Sequence, residues 1–169
     1  MSAPFTAWGL RGLLVALLIA GSAVGPAASR ESRVVFMANR VAQETAASEA
    51  REFVRFAQAA LGTRLDWSED SMRAVEDLAG ALHADLRRQR SDATEIAPLV
   101  TMIGSYLGEV LRRNHGGEWG YLAVNGRQVL GFRSARSGAL FAPVETAKRR
   151  VHHGASGNLW RAYQASARR

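Results

Sequence analysis

The sequence has no cysteine. That excludes disulfides, thiolate nucleophiles, iron–sulfur ligation and Cys-type zinc sites. Lysine is almost missing too: of 22 basic residues only Lys148 is a lysine, and no S-x-x-K pair occurs. Histidine is restricted to His83, His115, His152 and His153. No H-E-x-x-H is present, and neighbours such as His152 and His153 project about 100° apart on a helix. His115 and Glu118 have metal-like spacing, but Gly116 and Gly117 lie between them. There is no G-x-S-x-G elbow, P-loop or dinucleotide fingerprint. The carboxylate pairs Glu69-Asp70 and Glu76-Asp77 are adjacent, so they diverge on a helix and read as solvent-facing. The sequence thus suggests no catalytic residue, no metal site and no cofactor.

What is present begins with the N-terminus, "MSAPFTAWGLRGLLVALLIAGSAVGPAASR". One cation, Arg11, precedes an uncharged apolar run, and small residues follow up to Ser29. That order predicts a secretory signal peptide over residues 1–29, and hence a periplasmic or secreted domain. An uncleaved membrane anchor is the alternative. Residues 30–45 read as a flexible start and helix entry, and 46–166 as a single domain. At 169 residues the chain suits one domain plus that appendage.

Charge is uneven along the chain. From Arg30 to Leu111 there are 10 Arg and 13 acidic residues, a balance of −3. From Arg112 onward 11 cations face only Glu118 and Glu145, a balance of +9; Arg11 completes the net +7. A basic half of this kind either binds a polyanion or faces the acidic half of its own fold.

Hydrophobic spacing predicts three helices. Ala46, Ala50, Phe53, Ala57, Ala60 and Leu61 mark one that closes near Gly62. Met72, Val75, Leu78, Ala79, Leu82 and Leu86 mark a second, opened by Asp66 or Ser68 as N-cap. Ile96, Leu99, Val100, Ile103, Leu107, Val110 and Leu111 mark a third, with Pro98 in its first turn. Beside that stripe run Ala97, Thr101, Gly104 and Gly108, a bare strip against which another element should pack. On the helical wheel Glu109 and Arg112 fall opposite Ile103 and Leu107, which places them in solvent. "VVFM", ahead of the first helix, reads as its beginning or as a short extended segment.

"EWGYLAV", "NG" and "RQVLGF" form the strongest local signal, a hairpin on a two-residue Asn125-Gly126 turn. "ALF" makes a short third strand. Pro143 then opens a helix that Gly154 ends, and Asn158 caps a last one carrying Trp160 and Tyr163. The expected fold class is α+β: a three-helix N-terminal part, a three-stranded antiparallel meander and two short C-terminal helices.

From Leu65 to Tyr163 the chain resembles a family of bacterial proteins classed as a domain of unknown function. The segments "LDWSEDSM", "IGSYLGEVLRRNHGGEW" and "LFAPVETAKRRVHHG" carry that resemblance. It implies a fold and no established activity. The residues themselves point to a non-catalytic binding or interaction module of the cell envelope, its partner an envelope protein or an anionic polymer. A first alternative is polyanion binding (acidic polymer, anionic lipid or nucleic acid) through Arg149, Arg150, His153 and Arg161, expected on the outward face of the basic end. A second is a hydrolase or metalloprotein built on Glu109, His115 and Glu118.

Overall fold

A computed structural model describes residues 34–124 and 126–167. The expected targeting segment lies outside the described residues, as does Asn125. Four strands, β1 (Val35–Ala38), β2 (Gly117–Val124), β3 (Arg127–Ser134) and β4 (Leu140–Phe141), form one antiparallel sheet in that order. The helices are α1 (Arg40–Leu61), α2 (Ser71–Arg87), α3 (Ala93–His115), α4 (Pro143–His153) and α5 (Leu159–Ala167). A short 3-10 turn, Gly154–Gly157, joins the last two. The class is α+β, as the sequence pattern indicates.

The sheet has one strand more than expected. The "VVFM" segment supplies β1, which pairs with β2 from Val35↔Ala123 to Ala38↔Gly120. A four-residue apolar run has no period that separates strand from helix, so only its distant partner decides the matter. Residues 35–45 are consequently not a loose entry. Asn39 caps α1 by accepting the Ala42 N–H at 2.9 Å, and the helix starts at Arg40 rather than Ala46. The hairpin register is the expected one: Val124 pairs with Arg127, and Gly126 takes φ +77°.

Helix α3 begins a turn earlier than its Pro98 suggests, because the Asp92 carboxylate accepts the Thr94 N–H. Every residue from Ile103 to Leu111 is buried. A helix enclosed on all sides is an internal axis, with no solvent face in that stretch. The small residues beside its stripe are the reason it can be so enclosed. A Cβ on Gly104 would overlap Val144 Cα at the start of α4, and one on Gly108 would overlap the indole of Trp119. The main core joins Phe53, Met72, Ile103, Tyr106, Leu107, Trp119, Phe132, Leu159 and Tyr163.

Alanine in a helix is favoured over glycine by about 1 kcal/mol. At Gly104 the obstacle is backbone, which cannot rotate away, and overpacking costs about 1–3 kcal/mol. Gly104→Ala should therefore lower the urea unfolding midpoint; a raised midpoint would show that α3 and α4 do not touch there.

Candidate functional site

Polar side chains of the basic half divide into those spent on internal carboxylates and those left free. The first internal carboxylate is Glu109, fully buried and not in solvent as the wheel suggested. Its Oε1 accepts the Trp119 indole N–H at 2.9 Å and Arg112 Nε at 2.7 Å, while Oε2 accepts Arg112 Nη2 at 3.0 Å. Arg113 Nε stands 3.6 Å from Oε2. A bidentate guanidinium plus an indole satisfies a carboxylate that would be costly to bury alone. The same hydrogen bond raises the pKa of Arg112 above its ordinary value.

Glu118 and His115 are elsewhere. Glu118 projects from the sheet and pairs across the strands with Arg133, whose guanidinium also covers Phe36. His115, at the end of α3, hydrogen-bonds through Nε2 to Tyr163 Oη at 2.9 Å. Tyr163 Oη donates to Glu69 at 2.9 Å, so the phenol oxygen accepts from the imidazole. Glu109, His115 and Glu118 thus occupy three separate surroundings and form no common site. Among the described residues no three His, Asp or Glu side chains are placed to hold a metal. His83 is a packed histidine whose Nδ1 lies 2.8 Å from the Val151 carbonyl.

The start of α2 docks on the same end of α3. Trp67 adopts φ +68°, a conformation that bulky residues rarely take. Tyr106 Oη accepts its N–H and Asn114 donates to its carbonyl, both at 3.0 Å. Its ring stacks on Tyr106 and carries the Arg113 guanidinium 3.7 Å from its centroid. Neither Asp66 nor Ser68 is the N-cap of α2: Asp70 holds that position without a side-chain capping bond, and the Ser68 hydroxyl accepts the Ser71 N–H at 3.2 Å from the preceding turn.

The second internal carboxylate is Glu76, on α2. Oε1 accepts Arg150 Nε at 2.6 Å and Asn158 Nδ2 at 2.8 Å, and Oε2 accepts the Leu159 N–H at 2.6 Å. Glu76 therefore neutralises Arg150 and caps α5, where the helix dipole favours a negative charge. Both side chains of the ion pair are 13% exposed. Room for the guanidinium comes from Gly80, on which a Cβ would lie 2.7 Å from Arg150 Nη2. Sequence reasoning missed Glu76 because adjacent acids on a helix ordinarily face water; nothing local marks a partner so far along the chain.

The four basic residues expected to share one surface are thus separated. Arg150 turns inward to Glu76. His153 is exposed at the end of α4, and its carbonyl accepts the Ser156 hydroxyl at 3.3 Å. Arg149 and Arg161 are both exposed, and they line one concavity of about 550 Å³ between β4, α4, the 3-10 turn and α5. Thr146, Ser156 and Asn158 complete its polar lining, and no acidic residue lines it. Among the described residues neither Arg149 nor Arg161 has a carboxylate partner.

No protein-family model and no curated protein matches this sequence. The fold is similar to that of a protein from Bacteroides thetaiotaomicron VPI-5482 with a crystal structure at 1.50 Å resolution. The TM-score is 0.57 at 16% identity, over 80% of this chain and 48% of that one. The chain spans about half the length of that protein, and at such identity the likeness is one of architecture alone. No family model supports the resemblance expected over Leu65 to Tyr163.

The Tyr163 phenol pKa is pushed up to about 12, first by burial and then by the Glu69 carboxylate that accepts its hydrogen bond. The free phenol titrates near ~10. Folded protein binds this proton more tightly than unfolded chain, so the stabilisation is complete below pH ~10 and is lost as pH rises toward ~12. Thermal melts should show that alkaline loss, and Tyr163→Phe should flatten it. An unchanged alkaline slope in the variant would rule out Tyr163 as its source.

Proposed function

We propose that this chain is a non-catalytic binding module that takes anionic ligands in the concavity of Arg149 and Arg161. One observation carries the reading: Arg149 and Arg161, neither with a carboxylate partner among the described residues, line one hollow that no acidic residue lines. Elsewhere in the basic half, Arg112, Arg113, Arg133 and Arg150 each lie against a carboxylate of the chain. A guanidinium with free donors in a concave setting suits phosphate or carboxylate groups, which it can meet with paired N–H bonds. His153 lies outside this hollow, and Arg150 serves as its support rather than as a ligand contact.

Export belongs to the same reading. The order of cation, apolar run and small residues in residues 1–29 supports a cleaved signal, which would place the module among the acidic polymers of the bacterial envelope. Among the described residues no helix is long and apolar enough to cross a membrane.

Binding of a polyphosphate chain, followed at increasing salt, tests the site. Two phosphate contacts release counterions, so log K should fall against log salt with a slope of about −1.4. The double variant Arg149→Ser/Arg161→Ser should remove most of the affinity and most of the slope. Salt-independent binding, or a double variant that binds like the parent, would overturn the reading. Expressed in a Gram-negative host, the full chain should be recovered from the periplasm lacking about thirty N-terminal residues; an uncleaved cytoplasmic product would remove the envelope from the account.

A further inference from the structure

The concavity of Arg149 and Arg161 has an apolar lining as well as a charged one. Leu140, Phe141, Ala142, Ala155 and Ala162 line it as well. Leu140 belongs to the short strand β4 at the sheet edge and is 39% exposed, one of a handful of large apolar side chains left in water. An inorganic anion would satisfy the guanidiniums and leave that apolar lining wet. A neutral apolar ligand would cover the lining and strip water from two charges without replacing their hydrogen bonds, which is costly. A ligand that suits both carries an anionic head and an apolar body. The volume of about 550 Å³ lies within the range of small-molecule sites, roughly 300–1,000 Å³.

The geometry points to an amphiphilic anion as the ligand: a phosphate or carboxylate head held by Arg149 and Arg161, with an alkyl or aryl group laid against the apolar lining at exposed Leu140. This rests on the anion-site reading above and narrows it. Thr146 and Ser156 already donate their hydroxyls to the Ala142 and His153 carbonyls, so the charged contacts fall to the two guanidiniums. Selectivity for the body then falls to Leu140, the exposed large apolar residue of the lining.

Calorimetry on the purified protein with three monomeric probes separates the elements of the claim: inorganic phosphate, decyl phosphate below its micelle concentration, and octyl glucoside. Decyl phosphate should bind on the order of ten-fold tighter than phosphate, a difference of about 1.4 kcal/mol. Octyl glucoside should not bind. Leu140→Ser should reduce decyl phosphate to the level of phosphate while leaving phosphate itself unchanged. The Arg149→Ser/Arg161→Ser variant should lose both. Equal affinity for phosphate and decyl phosphate would overturn the amphiphile inference and leave the anion site standing; failure of both probes to bind would overturn the two together. Co-sedimentation with phosphatidylglycerol vesicles distinguishes the source. Vesicle binding that Leu140→Ser weakens supports a membrane lipid, and binding of the monomer alone supports a free amphiphile.

Discussion

A carboxylate buried in the middle of a helix constrains everything placed around it. Glu109 sits where α3 is enclosed on all sides, so each of its oxygens needs a donor from within the protein. The Trp119 indole supplies one, and it reaches the carboxylate because Gly108 leaves the helix surface bare beneath it. Trp119 in turn fixes how β2 leaves α3, and the sheet follows from that strand. Arg112 and Arg113 close the other side, and Arg113 extends the cluster to Trp67 and the start of α2. Glu109 and its donors therefore tie the central helix to the sheet and to the segment that leads into α2.

The same principle recurs at Glu76, where an acidic residue of the first half receives Arg150 of the second and caps α5. The uneven charge of the sequence acquires its meaning here. Arg112, Arg113 and Arg150 come from the basic half, and Glu109 and Glu76 from the acidic half, so part of the asymmetry is the fold facing itself. What remains for a partner is smaller than the net +7 suggests. Arg149 is the clearest case: its neighbour in sequence is consumed internally, while it stays open beside Arg161.

Elements governed by local chemistry were legible. Gly62 and Gly154 end their helices with φ +64° and +75°, and Gly126 turns the hairpin, each where a side chain would be strained. Gly104 and Gly108 announced a close neighbour without naming it. Features set by distant partners were not legible. β1 needed β2, far along the chain, to become a strand. Glu109 falls on the polar side of its helix by periodicity, yet periodicity locates a solvent face only when the helix has one. Arg149, Arg150, His153 and Arg161 formed one basic group in sequence, and only Glu76 shows which of them is spent. The fold class was therefore recoverable, and the division of the cations into structural and free was not.

That division is the central claim, and the arginine side-chain region of a proton–nitrogen correlation spectrum reports on it directly. During titration with inorganic phosphate, the Nε–H signals of Arg112 and Arg150 should stay fixed and exchange slowly with solvent, because carboxylates hold them. Those of Arg149 and Arg161 should move together with a single affinity. A shift of Arg150 equal to that of Arg149, or rapid exchange at Arg112, would contradict the account and return these cations to the surface.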